Sequence, residues 1–394
     1  MATKLILNFK VLTPLFLGGA DQVPELRAPS FKGLLRFWYR AIDPDFAKRD
    51  MGDQKPRREE RFFGGTSDYA GQPIFIATDV QRSQEKQLVK IELSTLQPRA
   101  GQKTRNGLVY LGFPFHMKNG GGGFIESGQD FELCCVIPRK EREDDDIFRR
   151  ALLSACWLLG HLGSAGSRNR RGFGSLALTD WRFEGEHRPW QELESLPLLH
   201  KAIDTNAWHS GFLQALTTVR EWFGAFEQHN PQPHLGKLFT WTLGKQGWPV
   251  ARWDEALNEM GRCLQNYRLR KQPDYEDVKE YLLAAAGQGG APLRSAPSRT
   301  GFGLPLTFRY PSVRGSVTFA PYDDNLKTTQ ERQGSLLFLK LVTCGGSLHP
   351  LYMRLDGDVP GQNSKVAVRG QGRELAPAKV NALDEFMAEL AKES

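Results

Sequence analysis

The chain has 394 residues and lacks any apolar run long enough to cross a bilayer, so a membrane-spanning role is not expected. Residues 1–10 alternate polar and apolar side chains as a strand would, and no secretory signal is visible in them. Its five cysteines (Cys134, Cys135, Cys156, Cys263 and Cys344) have no Cys-x-x-Cys spacing. That argues against a zinc or redox site and fits free thiols in a reducing cytoplasm. No His-x-x-x-His or paired-carboxylate spacing marks a metal centre, and no Gly-Lys-Ser/Thr completes a P-loop. We therefore expect neither a cofactor nor a small-molecule substrate. Acid is also missing locally: no Asp or Glu occurs from Arg27 to Ile42, from Gly163 to Leu176, or from Tyr281 to Tyr322.

What is present is an excess of base. The formal charge is +7, with 52 Lys and Arg against 45 Asp and Glu, which favours a polyanionic partner. Apolar residues make up 40% and charged residues 25%, a globular composition, and the length suits two domains. The most distinctive stretch is Gly163-Ser-Ala-Gly-Ser-Arg-Asn-Arg-Arg-Gly-Phe-Gly-Ser-Leu176. Glycines such as Gly166 and Gly172 let a backbone approach a bulky partner, and Arg168, Arg170 and Arg171 supply forked donors suited to phosphate. A second basic element lies at 31–42, where Ser30 is a plausible N-cap. Phe31, Leu34, Leu35, Trp38 and Ile42 share one face of the helical pattern, while Lys32, Arg36 and Arg40 recur at i, i+4, i+8 on the other. Arg27 precedes it.

Taken in order, the first half shows a strand at 5–12, the helix at 31–42, and a polar loop at 43–60. Strands follow at 74–80 and 88–96, then a Gly- and Lys/Arg-rich insertion at 98–123 tipped by 119–123, and a strand at 131–137. An almost wholly apolar helix at 147–162 leads into the arginine loop and a strand at 175–183. This order is a ferredoxin-like (RRM-like) βαββαβ unit of the α+β class. It places the basic helix and the arginine loop in one module, spanning 1–185. From 186 the chain is Trp-rich and loop-like to about 209, with helices expected at 210–228, 253–270 and 275–286. Then Ser298-Arg-Thr-Gly-Phe-Gly-Leu-Pro-Leu-Thr-Phe308 echoes the arginine loop: Ser-Arg, then Gly-Phe-Gly, then a strand. Arg294, Arg299, Arg309 and Arg314 lie in this acid-free part. Strands at 317–319 and 336–342 and a helix at 381–391 complete a divergent second copy, 186–394, with a helical insertion.

These residues resemble a known family, the RAMP superfamily of CRISPR proteins, and within it the first RAMP subunits of type III-B (Cmr) effector complexes. The resemblance is carried by Leu12-Thr-Pro-Leu-Phe-Leu-Gly-Gly-Ala-Asp-Gln22, Leu26-Arg-Ala-Pro-Ser-Phe-Lys-Gly-Leu-Leu-Arg-Phe-Trp-Tyr-Arg-Ala41, Phe63-Gly-Gly65 and Gly166-Ser-Arg-Asn-Arg-Arg-Gly-Phe-Gly174. It is strong over 1–185 and thin over 186–394. It implies two tandem ferredoxin-like RAMP domains and a subunit without nuclease activity. The partners implied are CRISPR guide RNA, target single-stranded RNA near the guide's 3′ part, and other Cmr subunits. The expected RNA-binding residues are Arg27, Lys32, Arg36, Arg40, Gly166, Arg168, Arg170, Arg171, Gly172, Arg294 and Arg299. Phe37, Tyr39 or Phe173 would stack on a splayed base. The competing reading is a metal-independent endoribonuclease with His161 as general acid or base, since His161 alone among the histidines stands beside the arginine loop.

Overall fold

The computed structural model describes residues 3–18, 23–49, 56–65, 74–79, 106–116, 123–137, 145–184, 190–324, 326–370 and 373–393. The chain is a mixed α/β protein with antiparallel sheets. It divides into two compact units. The first combines Met1–Gln228 with Leu243–Arg262 and Leu339–Leu351; the second combines His229–Thr242, Cys263–Phe338 and Tyr352–Ser394.

The first unit runs β1 (Thr3–Val11), α1 (Ala28–Arg40), the short α2 (Arg58–Phe63), β2 (Phe75–Asp79), the short α3 (Gly107–Leu111), β3 (Asp130–Ile137), α4 (Asp145–His161), β4 (Leu176–Glu184) and α5 (Thr205–Phe223). Strand order is β2-β3-β1-β4, with every pair antiparallel. The central strand β1 explains the sheet: Leu5, Leu7, Phe9 and Val11 are fully buried at period two, so one face of the pleat is core. Helix α1 contributes Phe31, Leu35, Trp38 and Tyr39 to that core. Helix α4 is buried from Ala151 through His161, as its apolar sequence requires. Where α4 meets β4, a Cβ on Gly160 would come within 2.3 Å of Leu178 Cβ, so only glycine permits the approach.

Several boundaries differ from the sequence expectation for physical reasons. Helix α1 starts at Ala28, with extended Arg27 at the N-cap, not at Ser30. Pro29 is tolerated in this first turn because its missing N–H would have had no intrahelical acceptor. Helix α5 begins at Thr205, inside the stretch expected to be loop, because the Asp204 carboxylate accepts the Ala207 N–H at 2.8 Å. In the expected insertion, the Asn106 side chain caps α3 by accepting from Val109 N at 3.0 Å. The strand expected at 88–96 and most of the glycine tip at 119–123 lie outside the described residues.

Beyond α5 come β5 (Thr240–Leu243), β6 (Trp248–Pro249), α6 (Trp253–Arg270), α7 (Asp274–Ala285), β7 (Leu306–Tyr310), β8 (Val313–Asp323), β9 (Thr328–Thr329), β10 (Leu337–Cys344), β11 (Ser347–Arg354), β12 (Val366–Val368), β13 (Arg373–Leu375) and α8 (Ala382–Glu393). One sheet has the order β13-β12-β8-β7 with β9 on β8; another has β10-β11-β5 with β6 on β11. In the second unit Val278 and Tyr281 of α7 pack with Phe308, Val317, Phe319 and Val366 in one cluster. Helix α6 has the expected bounds. Strand β11 went unnoticed because His349 and Pro350 interrupt its apolar pattern.

Replacing Gly160 with Ala should cost about 1–3 kcal/mol by overpacking α4 against β4. A urea titration would show a lower midpoint with native far-ultraviolet dichroism retained; an unchanged midpoint would mean that the two elements separate freely.

Candidate nucleic-acid interface

The arginine loop joins α4 to β4, and its backbone is held by the protein itself. Gly172 O accepts the Thr13 hydroxyl at 2.7 Å and the Ser175 hydroxyl at 2.9 Å, while Ser175 N–H donates to Thr13 Oγ1 at 2.9 Å. Ala165 N–H donates to Gly174 O, Gly174 N–H to Pro14 O, and Ser167 N–H to Phe16 O, all within 2.9 Å. Beneath this lies Lys340 of β10, about 1% exposed. Its Nζ donates to Gly160 O at 3.2 Å, to Leu176 O at 2.6 Å and to Gly163 O. Burial lowers the amine's proton affinity well below the ordinary lysine value. Opposing this, three carbonyls, one from the negative end of α4, one from the loop and one from the start of β4, match the three donors of an ammonium. Leu341 N–H donates to Ser175 Oγ at 3.1 Å and Leu339 N–H to Arg170 O at 3.2 Å, so β10 braces the loop along its length.

The glycines consequently serve the loop's own closure. Gly174 has φ +64°, and a Cβ there would fall 1.9 Å from Ala165 O. The space beside Gly166 is taken by Phe16 O at 2.4 Å, and that beside Gly172 by Leu257 Cδ2 at 2.5 Å. Their expected purpose, letting phosphate approach, is corrected accordingly. Gly172 is buried.

Each arginine has a separate fate. Arg168, at φ +62°, donates from Nε to Leu111 O at 2.8 Å and from Nη2 to the same carbonyl, so its head ties the loop to α3. Arg170 lies with Cζ 6.0 Å from the Phe37 ring centroid, which joins the loop to α1. Arg170 and Arg171 are both partly exposed. On α1, Arg27 is exposed and Lys32 partly so. Burial, and then repulsion from Arg36, lowers the pKa of Lys32 from its ordinary value. Arg36 and Arg40 share one buried oxygen, Glu59 Oε1, at 2.5 and 3.1 Å. The absence of acid along 27–42 thus left two of the three stripe cations paired after all, by a carboxylate from α2.

The aromatic expectations also change. Tyr39 is fully buried and its hydroxyl donates to Asp43, and Phe173 is buried against Phe16 and Phe115, so neither stacks on a base. Phe37 is partly exposed beneath Arg170. Phe113, two residues beyond the carbonyl that holds Arg168, is 60% exposed and was missed. In the sequence nothing separates Phe113 from Phe115, which is buried with its centroid 3.9 Å from that of Phe16.

In the second unit the echo at 298–308 is a 3₁₀ turn, Ser298–Phe302, leading to β7. The buried Asp274 carboxylate fills its N-terminal end, accepting from Ser298 N at 2.8 Å, from Ser298 Oγ at 3.0 Å and from Arg299 N at 2.7 Å. Side-chain Cζ of Arg299 lies 4.8 Å from the Phe308 centroid, and Arg294 is exposed. The turn's own backbone donors are thus occupied by the chain's own carboxylate.

His161 is buried, with Nδ1 2.8 Å from Trp157 O and Nε2 accepting from Leu199 N–H at 3.1 Å. Both ring nitrogens are satisfied in one neutral tautomer. Burial, reinforced by Lys340 and His200 against the Trp157 carbonyl, brings its pKa down to about 3. Such a ring is not placed for general acid–base work, which corrects the competing expectation. Among the described residues no group of His, Cys, Asp and Glu is arranged to hold a metal ion. No helix among them is long and apolar enough to cross a membrane.

Comparison with known proteins matches this geometry to a family. Residues 8–177 match the RAMP superfamily. The match begins in β1 and ends in β4, so the matched segment contains both α1 and the arginine loop. The chain is 26% identical over 191 residues to the Cmr1-2 subunit of the Pyrococcus furiosus CRISPR system, covering 43% of this chain and 92% of that protein. It is 28% identical over 167 residues to Cmr1-1 of the same organism, covering 40% and 41%. The crystal structure of apo Cmr1 from P. furiosus shares the fold at a TM-score of 0.55 and 17% identity, over 98% of this chain and 96% of that one. A chain of the type III-B Cmr-β complex bound to cognate target RNA does so at 0.56 and 14%, over 100% and 99%. The resemblance to first RAMP subunits of Cmr complexes is borne out, and the fold likeness extends across the half where the motifs were thin.

Two expected outcomes follow from the loop's surroundings. Replacing Lys340 with Met should destabilise the protein by about 1–3 kcal/mol, because buried carbonyls lose their donor; equal urea midpoints would show that the carbonyls are satisfied otherwise. For His161 the folded pKa lies below the ordinary 6.5, so its contribution to stability is full above pH 6.5 and lost as pH falls toward about 3. The His161 ring resonance in NMR should stay at its neutral shift down to at least pH 5; a midpoint near 6.5 would contradict the buried position.

Proposed function

We propose that the protein is a non-catalytic RNA-binding subunit of a type III-B (Cmr) CRISPR ribonucleoprotein. It contacts the backbone of guide RNA, target RNA or both near the guide's 3′ end, with other Cmr subunits as neighbours. In this reading residues 1–185 and 186–394 are tandem ferredoxin-like RAMP domains. The order β2-β3-β1-β4 supports the first. The order β10-β11-β5, with α6 between β5 and β10 and α8 after β11, repeats three strands of that arrangement and supports the second as a divergent copy.

The observation that carries the reading is the joining of two basic elements, α1 and the arginine loop, through Arg170 and Phe37, on a loop braced from within by Lys340. Rigid cations positioned in this way suit phosphate contacts, which orient a strand without reading its sequence. Arg27 is exposed, and Lys32, Arg36, Arg40, Arg168, Arg170 and Arg171 are all partly exposed, with Arg294 exposed in the second unit. Arg168, Arg36 and Arg40 also fix the loop and helix, through Leu111 O and Glu59. Phe113 is an exposed aromatic beside the loop available to a splayed base.

Affinity for labelled single-stranded RNA, measured by anisotropy over a salt series, should fall with a log–log slope of about −0.7 per phosphate contacted. Joint Arg170→Glu and Arg171→Glu substitution should weaken binding and flatten the slope by about 1.4. Unchanged affinity and slope in the double variant would refute the interface.

A further inference from the structure

A second feature of the first unit lies at the far end of α4 from the arginine loop. From Arg150 to His161 the helix advances about 16 Å, so the two places are distinct. Arg149 and Arg150 are consecutive, hence about 100° apart around the helix. Each lies over a tryptophan: Arg149 Cζ is 6.0 Å from the Trp190 centroid, and Arg150 Cζ is 5.8 Å from that of Trp222 on α5. Between them is an open cleft of about 510 Å³, floored by the 3₁₀ turn Gln191–Ser195. Trp190 is fixed by Phe183, 4.9 Å away between centroids, and by Phe148 at 6.3 Å.

The two arginines differ in their pairing. Arg149 binds Asp145 at 2.6 Å, Asp146, and Glu192 at 3.3 Å, so its charge is more than offset and it serves to hold the turn. Arg150 pairs with no carboxylate among the described residues, and its Nε is shielded from water without a hydrogen-bond acceptor. Among the described residues, a guanidinium without a carboxylate partner thus stands in a cleft with indole walls, the Glu192 carboxylate held by Arg149, and the polar groups of Gln191 and Ser195.

We propose that this cleft holds one unpaired nucleotide of single-stranded RNA, its base against the indole of Trp222 or Trp190 and its phosphate on Arg150. A purely apolar ligand would meet mostly polar lining, and a lone carboxylate would use Arg150 but neither indole. A nucleotide uses both, and stacking on aromatic and guanidinium planes is how proteins retain splayed bases. The volume falls in the range of small-ligand clefts. Arg150 is already oriented by stacking on Trp222, which reduces the freedom lost on binding phosphate. The proposal rests on the RNA-binding reading above and adds a second point of attachment, independent of the loop.

The test compares the full chain with its Trp222→Ala, Arg150→Gln and joint Arg170→Glu/Arg171→Glu variants on one labelled single-stranded RNA across a salt series. Thermal melting serves as the check on folding. Trp222→Ala should lose about 5- to 100-fold in affinity with the salt slope retained, since a stack and no charge is removed. Arg150→Gln should flatten the slope by about 0.7. If both cleft variants fold and bind like the parent while the loop variant is weakened, the cleft proposal is overturned and the loop reading stands. If the parent binds no RNA, both fall. Should Trp222→Ala prove unstable, Arg150→Gln decides alone. Intact RNA affinity combined with loss of association with other Cmr subunits would assign the cleft to a protein contact and also overturn the proposal.

Discussion

One buried cation organises the most distinctive part of this molecule. Lys340 has almost no exposure to water, and burial disfavours its charge, yet three backbone carbonyls from the end of α4, the arginine loop and the start of β4 converge on it. Those carbonyls would otherwise be orphans of a helix terminus and a tight loop, expensive to leave unsatisfied in the interior. A side chain more than 160 residues further along the chain resolves both problems at once. The Thr13 and Ser175 hydroxyls act in the same sense on Gly172. The loop is therefore a stiff platform. In the proposed RNA-binding role, that stiffness would hold the partly exposed loop arginines as positioned donors.

Much of the charge that looks functional in the sequence supports structure. Glu59 neutralises Arg36 and Arg40 together, Asp274 occupies the backbone donors of the Ser298 turn, and Leu111 O holds Arg168. A buried carboxylate facing two guanidiniums, and a backbone carbonyl facing one, lower the positive charge presented outward while fixing its geometry. The same economy governs the aromatics, since Tyr39 and Phe173 build the core and Phe113 stands exposed. The cations of α1 and the loop are thus fewer in unpaired charge than the composition suggests, and several are anchored by the chain itself.

The fold of the first half was legible because its signals are local. Period-two burial in β1, the apolar run of α4 and the amphipathic pattern of α1 arise from neighbouring residues, and the elements stand where those patterns put them. Boundaries failed where one side chain decided them, as with Asp204 capping α5 and Pro29 in the first turn of α1. Strand β11 and the short helices α2 and α3 escaped because their stability comes from pairing and packing rather than from pattern.

By itself the sequence determined a mixed α/β class, the order of β1, α1, β2, β3, α4 and β4, the RAMP resemblance and the position of the arginine loop, because periodicity and motif spacing are properties of adjacent residues. Only the tertiary structure decided which cations face solvent, that His161 is a satisfied core residue, and that Lys340 belongs under the loop. An ion pair or a buried donor depends on distance in space. A stretch free of acid along the chain is therefore no guide to the acids that folding brings against it.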